Sequence, residues 1–259
     1  MNPPPGPFVV LIVCLAASGL QAVGTVAHWP CAVTPGPARR LADVGPHQLE
    51  SQADARAVSV PGRFDRALRP SGPARSSRVW PRPDCWNGPW TLECWLRLDA
   101  GVDAEAVIFE LAEGPVAVRF GILPGENAFL WTAPAADPGP GVAARRVELP
   151  SPDGPPGEVV WLREAALDLR DASLPRERWF HVALVHAPGG GLRLFLDGRV
   201  AAVAAWHAAA LPAGLALRIA LGASPDGARV LAGALQDVRV SDRVVYGGEF
   251  APPEGPLQP

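Results

Sequence analysis

The chain of 259 residues contains no lysine, so all 23 of its basic residues are arginine. We interpret this absence, which accompanies abundant alanine, glycine and proline, as coding bias of a GC-rich genome. A strong charge of either sign is also missing, since the formal net charge is −3 and the pI is near 6.0. The arginines are scattered along the sequence and form no basic patch, which excludes nucleic acid as an expected partner.

Cysteine is scarce, with four residues in the chain. Cys14 lies in the apolar leader described below, which leaves Cys31, Cys85 and Cys94 in the rest of the chain. An exported protein can form disulfides, yet three cysteines leave one unpaired. If any pair forms, we expect Cys31 with Cys85. Cys94 alternates with Leu92 and its neighbours within TLECWLRL, so we interpret it as a small core residue.

No charged residue occurs between Phe8 and Ala27, and the block FVVLIVCLAASGL precedes the small residues of Ala22-Val23-Gly24. This pattern predicts a signal peptide over residues 1–24, and hence a secreted, cell-surface or periplasmic protein. The leader has no Lys or Arg before its apolar block. An uncleaved membrane anchor therefore stays open as an alternative, because about twenty uncharged residues can span a bilayer.

The run RWFHVALVHAPGGGLRLFLDGRVAAV, from Arg178 to Val203, alternates apolar and polar residues with period 2 and turns at Asp197-Gly198. An Asp-Gly pair between alternating strands predicts a two-residue type I′ turn, in which both central residues need positive φ. Further alternating runs, such as TLECWLRL and VAVRFGI, indicate more strands. The chain is therefore predicted to be an all-β protein.

The Arg178–Val203 run resembles laminin-G-like domains of the concanavalin A-like jelly-roll family. These carry a Trp-x-His-x-Ala strand and then a Leu-x-Leu-Tyr-x-Asp-Gly hairpin, with Phe195 here at the tyrosine position. Further landmarks of the family follow its order along the chain: VAHWP, PGRFDRALRP, TLECWLRL and GALQDVRV. The resemblance implies an antiparallel jelly-roll sandwich of two sheets, formed as one domain by residues 25–246.

Two segments depart from that pattern. Residues 134–157 are dense in proline and glycine, which break strands, so we predict a long exposed loop with one short strand near 146–149. The proline-rich tail, residues 247–259, is predicted to be disordered.

The residues that stand out most are given structural roles. Asp197 and Gly198 are expected to make the turn. His181 occupies the family's recurrent histidine position, and the resemblance implies a hydrogen bond that anchors the sandwich. Trp95 and Trp179 occupy strand positions that the family uses for packing, so they are assigned to the core.

Ligand contacts are harder to assign, because Trp rings stack on sugars as well as they fill cores. If a sugar platform exists, Trp86 and Trp206 are the candidates, since both lie near strand ends. A calcium site is possible by resemblance to lectins of this architecture, with loop oxygens nearby from Asp84, Asn87, Asp99, Asp103 and Asp226. Asp also simply favours turns, which is the alternative interpretation.

Catalysis is not expected. Glycosidases of this fold resemble one another in a Glu-x-Asp-x-x-Glu strand, which this sequence lacks. Its nearest match is Glu105 with Glu110, and a spacing of five on a regular strand predicts opposite faces. The resemblance therefore implies a monomeric recognition or adhesion module that binds a surface glycan or an extracellular protein. A structural docking module without a small ligand and a divergent glycosidase are the alternatives.

Overall fold

The computed structural model describes the greater part of the chain from Gly24 to Gln258. The described ranges are 24–32, 40–49, 51–52, 56–73, 75–76, 79–101, 103–135, 143–148, 159–169, 172–187, 189, 191–206, 209, 211–212 and 215–258. The predicted signal peptide lies outside them except for Gly24. Among these residues, no helix is long and apolar enough to cross a membrane.

The first strands of the chain are short, and the central ones are longer. They are β1 Thr25–Trp29, β2 Arg40–Leu41, β3 Ser51–Gln52, β4 Val58–Pro61, β5 Arg66–Arg69, β6 Arg75–Ser76, β7 Trp90–Leu98, β8 Ala106–Glu113 and β9 Val116–Leu123. The remaining strands are β10 Ala128–Ala135, β11 Ala144–Glu148, β12 Val159–Asp168, β13 Trp179–His186, β14 Leu192–Leu196, β15 Arg199–Ala204, β16 Arg218–Leu221 and β17 Gly233–Ser241. Two short 3-10 turns occupy Pro83–Asn87 and Pro124–Glu126.

Within the described residues, the strands form three sheets. An eight-stranded sheet has the order β15-β14-β13-β7-β17-β5-β4, with β1 also paired to β17. A six-stranded sheet has the order β11-β12-β10-β9-β8-β16, and a three-stranded sheet joins β2, β3 and β6. Every strand pairing recorded for the two larger sheets is antiparallel. The predicted fold class, an antiparallel sandwich of two sheets, is confirmed.

The core lies between the two larger sheets. Leu92, Cys94 and Leu96 face it from β7, as the alternation predicts, and Phe120 and Trp131 face it from the six-stranded sheet. Burial of these large apolar side chains supplies the main driving force for closing the two sheets together.

The opposite face of β7 is buried as well. Thr91, Glu93 and Trp95 are each at most 1% exposed. Part of the cover comes from the C-terminal segment, residues 242–258, whose Tyr246 and Phe250 pack on a small apolar cluster of the eight-stranded sheet. The sheet is therefore covered on both faces near its centre.

The prediction of a disordered tail is wrong for the described part of residues 247–259. The ring of Phe250 stacks on that of Tyr246 with centroids 3.6 Å apart, and Leu257 is buried. The Gln258 carbonyl oxygen also accepts a hydrogen bond from Arg239 at 2.6 Å. Proline does not prevent such packing, because an extended segment that lies on a sheet needs few backbone donors.

The loop predicted at 134–157 is shorter than expected where it is described. β10 continues to Ala135, and β11 provides the short strand, at Ala144–Glu148. Residues 136–142 and 149–157 lie outside the described ranges.

Candidate functional site

The outer face of the six-stranded sheet, which points away from the core, carries a row of polar side chains. Strand register places Glu110 opposite Arg119, Arg119 opposite Thr132, and Thr132 opposite Glu164. Their chain neighbours, such as Phe120, point into the core. Since side chains alternate between the two faces of a strand, the row lies on the outer face.

Glu110 and Arg119 are joined by two hydrogen bonds. Arg119 Nε donates to Glu110 Oε2 at 2.8 Å, and Nη2 donates to Oε1 at 3.1 Å. Burial works to lower the pKa of Arg119, but the hydrogen bond to Glu110 and the carboxylates of Glu105 and Glu164 outweigh it and raise the pKa. The two-point contact fixes the orientation of both side chains.

Glu105 lies on the same side as Glu110, and the prediction of opposite faces is wrong. The register of β8 against β9 shifts between Val107 and Phe109, which is a β-bulge. One extra residue at a bulge reverses the alternation that follows it. Glu105 accordingly pairs with Arg229 at 2.8 Å, and Arg229 lines the same surface depression as Glu110.

That depression, here called the outer cleft, has a volume of about 800 Å³. Its lining comes from β8, β9, β11, β12 and β16, from the β8–β9 turn and from the loops on either side of β16. The lining residues are Glu110, Ala112, Glu113, Gly114, Pro115, Ala117, Arg119, Arg145, Glu164, Ala216, Arg218, Ile219, Ser224, Pro225, Asp226 and Arg229.

Several polar groups of the outer cleft are held by neighbours. Glu113 Oε2 accepts a hydrogen bond from the Ala216 amide, and Asp226 Oδ1 accepts one from the Ala228 amide. The hydrogen bond from the Ser224 hydroxyl is the main cause that lowers the pKa of Asp226. Asp226 thus caps its own turn, as the alternative to calcium binding predicts.

Two arginines differ from this pattern. Arg145 on β11 and Arg218 on β16 are both exposed. In the part of the chain that the structure describes, neither side chain forms a recorded ion pair or hydrogen bond. Their guanidinium groups are available to a ligand.

The row of polar side chains on the outer face also contains an unusual buried hydroxyl. Thr132 is 2% exposed, and its Oγ1 has no hydrogen-bond partner among the described groups. A buried polar group without a partner costs free energy.

No cluster of three His, Cys, Asp or Glu side chains suited to a metal ion occurs within the described ranges. Three of the candidate calcium ligands, Asp84, Asp99 and Asp226, have other partners. Asp99 accepts two hydrogen bonds from Arg69, at 2.8 and 2.9 Å, and Asp84 pairs with Arg82 at 3.2 Å.

Trp86 and Trp206 do not form a sugar platform. They are 0% and 2% exposed, and both belong to the core between the sheets. Trp131 contacts both rings, with centroid distances of 5.6 and 6.3 Å. The prediction fails because residues near strand ends can still turn inward, and hydrophobic burial outweighs exposure for a ring of this size.

Trp95 and Trp179 lie on the outer face of the eight-stranded sheet and not in the core between the sheets. Trp95 is buried there beneath Phe64 and Arg63, whose guanidinium lies 4.1 Å from the Trp95 ring centroid. Trp179 is half-buried. The Trp95 ring thus packs against a covering segment of the chain.

His181 is fully buried on the same outer face, beside Glu93. His181 Nε2 lies 3.1 Å from Glu93 Oε2, which also accepts a hydrogen bond from the Tyr246 hydroxyl at 2.6 Å. Arg239 donates to the other oxygen of Glu93 at 2.9 and 2.6 Å. The network ties β7, β13, β17 and the C-terminal segment together.

Asp197 and Gly198 form the turn between β14 and β15, with φ of 47° and 78°. Asp197 Oδ1 accepts a hydrogen bond from the His181 amide at 2.8 Å, and Oδ2 pairs with Arg178 at 2.9 Å. The pair serves the fold, and neither residue lies in the outer cleft.

The three remaining cysteines are free and buried, so the expected pairing of Cys31 with Cys85 is wrong. Cys31 and Cys94 are both part of the core between the sheets, as Cys94 was predicted to be.

Sequence reasoning did not single out Arg119, Arg145, Glu164 or Arg218. The signal was present, since the alternation of VAVRFGI places Arg119 opposite the apolar face of its strand. A single strand, however, does not reveal which residues of distant strands share its row.

The protein is an antiparallel β-sandwich with an open, charged cleft on the outer face of one sheet. Residues 157–249 match the model of the Concanavalin A-like lectin/glucanases superfamily. The match, over about a third of the chain, confirms the predicted resemblance, and the fold of the described residues is a concanavalin A-like jelly-roll sandwich. No curated protein sequence matches the chain.

Solved structures support the same fold. The receptor-binding domain of botulinum neurotoxin D is 9% identical, with 88% of this chain and 50% of that chain covered and a TM-score of 0.55. The corresponding domain of the mosaic serotype C/D toxin is 9% identical, with 88% and 48% covered and a TM-score of 0.56.

A complex of Trypanosoma rangeli sialidase with sialic acid is 16% identical, with 86% of this chain and 31% of that chain covered and a TM-score of 0.52. The chain thus spans between about a third and half of the length of these proteins. At such low identity the likeness shows the shared fold.

Proposed function

We propose that the protein is an exported, non-catalytic recognition module that binds a surface glycan in the outer cleft. The observation that carries the proposal is the cleft itself, in which guanidinium and carboxylate groups are held in place on a rigid sheet. A sugar hydroxyl both donates and accepts hydrogen bonds, so such a surface offers it partners of both kinds. Export rests on the apolar leader of the sequence.

The carboxylates of the outer cleft favour binding over hydrolysis. Glu110 is engaged by two nitrogens of Arg119, and Glu105 is paired with Arg229. Glu164 lies three strands away along the row. At a strand spacing of about 4.8 Å their backbones are roughly 14 Å apart, compared with carboxyl separations of about 5 to 9.5 Å in glycosidases.

The comparisons support recognition at the level of the fold. Two of the similar structures are receptor-binding domains of neurotoxins, and the third is a sialidase of which this chain covers 31%. A binding role needs only the cleft, whereas hydrolysis needs a reactive pair of carboxyl groups.

A glycan array tests the proposal, read with and without a chelator so that a calcium requirement is detected. The matched variant is Glu110→Gln combined with Arg119→Met, which removes both charges together and leaves no unpaired buried ion. We expect retention of at least one glycan by the native chain and its loss in the double variant. Arg146→Ala is the control, since Arg146 is on β11 but does not line the cleft.

If the native chain binds no glycan on the array, either with or without the chelator, the proposal is contradicted. Release of reducing sugar from a retained polysaccharide would instead identify a divergent glycosidase.

A second candidate function, docking of an extracellular protein, is favoured by β15. This strand lies at the edge of the eight-stranded sheet, and its Val200 and Val203 are 42% and 65% exposed. Proteins usually protect such edges with charged residues, because an open edge pairs with other strands. Val44 is the control position, because it is 48% exposed and lies outside β15. Capture of one defined partner by the native chain and by Val44→Lys, but not by Val203→Lys, would support this function.

A further inference from the structure

We infer that the outer cleft takes an uncharged, chain-like saccharide that lies across the strands, with one arginine at each end. The inference rests on the proposed function and adds the class of ligand to it.

The charges of the outer cleft argue for an uncharged ligand. Its lining contains four arginines and four carboxylates, and a further carboxylate, Glu105, neutralises Arg229. Arg119 is neutralised by Glu110. An acidic sugar that reached the free guanidinium groups would also approach Glu113, Glu164 and Asp226, and like charges at close range are unfavourable.

The chemistry of the lining argues for hydroxyl groups. Carboxylates only accept hydrogen bonds and guanidinium groups only donate them, so a ligand that satisfies both must carry groups with both capacities. No aromatic side chain belongs to the lining within the described ranges. Stacking on a ring therefore contributes nothing there, and hydrogen bonds have to provide the recognition.

The two free arginines indicate the length of the ligand. Arg145 lies opposite Leu162 on one side of the six-stranded sheet, and Arg218 lies opposite Ala112 on the other. The strand order separates β11 from β16 by five strand spacings, or about 24 Å measured along the sheet. A single sugar ring does not reach both residues, whereas an oligosaccharide does.

The floor between them suits a chain. Ala112 and Ala117 pair across β8 and β9, and both line the cleft. Such short side chains leave room for a ligand to lie close to the sheet. Glu110, Arg119 and Glu164 run in a parallel row beside this floor. A saccharide chain would thus meet donors and acceptors along one side and an arginine at each end.

The test compares neutral and acidic glycans of matched length. Neutral oligosaccharides of increasing length are titrated into the full chain by calorimetry, in about 50 mM and about 500 mM salt. We expect affinity to rise with length and to change less than about twofold with salt, since no net charge is neutralised on binding. Oligomers of uronic acid are expected not to bind.

Arg145→Ala and Arg218→Ala should each weaken the longest neutral oligosaccharide by about tenfold, the effect of losing one hydrogen bond to a charged group. Both should leave the shortest oligosaccharide unaffected. Arg146→Ala provides the matched control, because this neighbouring arginine pairs with Glu148 and does not line the cleft.

Two results would overturn the inference and leave the proposed function intact: retention of acidic glycans with strong salt dependence, or equal affinity for a monosaccharide and a long chain. Retention of no glycan of any class would overturn the proposed function itself.

Discussion

Gly198 and Phe250 lie in direct backbone contact, although 52 positions separate them in the sequence. The Gly198 carbonyl oxygen accepts a hydrogen bond from the Phe250 amide at 3.0 Å. A Cβ added to Gly198 would overlap the Phe250 carbonyl oxygen, and φ at Gly198 is +78°. Position 198 therefore requires glycine for two separate reasons, its positive φ and its close contact with the Phe250 backbone.

Replacing Gly198 should destabilise the fold. We expect Gly198→Ala to lower the free energy of unfolding by about 2 kcal/mol or more, because positive φ and the overlap with Phe250 both disfavour a side chain. Gly198→Val should be worse, since a β-branched residue fits positive φ poorly. Chemical unfolding measures both variants against Gly248→Ala, where a Cβ would meet no atom within 4 Å. Equal stability of Gly198→Ala and Gly248→Ala would contradict the contact.

Tyr246 is the single tyrosine of the chain, so its ionisation can be followed directly by absorbance. Burial, the nearby charge of Glu93 and the hydrogen bond to Glu93 raise the pKa of Tyr246 well above its ordinary value of 10.0. A pKa raised in the folded state contributes stability that is complete below pH 10.0 and is lost above it. We expect tyrosinate to appear together with unfolding, as followed by circular dichroism. If Tyr246 ionises near pH 10.0 while the protein is still folded, the result would contradict its buried hydrogen bond to Glu93.

Glu93 should stabilise the protein as a carboxylate. Burial works to raise its pKa, but the hydrogen bond from His181 and the charge of Arg239 outweigh burial and lower the pKa. Its contribution is therefore present above the ordinary value of 4.5 and is lost as the pH falls below it. We expect Glu93→Gln to cost about 3 kcal/mol at neutral pH, because Arg239 loses its buried partner.

Unfolding at pH 7 and at pH 3 checks this prediction, with the exposed Glu148→Gln as control. The difference between native protein and Glu93→Gln should shrink at the lower pH. A loss of stability that stays the same at both values would indicate a packing defect rather than a lost charge.

The thiols of Cys31, Cys85 and Cys94 should be unreactive in the folded protein. Burial is the largest cause that raises the pKa of each thiol, and the thiolate is the reactive form. We expect alkylation of all three only after denaturation, with peptide mapping to identify each site. A Cys31–Cys85 disulfide in the native mass spectrum would overturn the assignment of free thiols.

Local pattern was enough to predict much of the fold. The Asp197-Gly198 turn and the inward face of β7 follow from period-2 alternation and from the φ that a tight turn requires. The β-bulge near Val107 was not predictable in this way, because it leaves no mark in composition, and so the faces of Glu105 and Glu110 were misassigned.

Long-range packing accounts for the other differences. Trp95 and Glu93 occupy the face of β7 opposite Leu92, Cys94 and Leu96, and they are buried because distant segments cover them. Arg145 and Arg218 become opposite ends of one cleft only when the strand order is known. The spacing of residues along the sequence does not reveal the order of the strands in the sheet.

The position of the C-terminal segment has a practical consequence for attaching the molecule to a support. This segment and β1 both belong to the side of the eight-stranded sheet, with Gly24 donating to Asp242 at 2.6 Å, whereas the outer cleft opens on the other sheet. A biotin or an affinity tag joined after Gln258 would thus orient the immobilised molecule with its cleft toward the bulk solution.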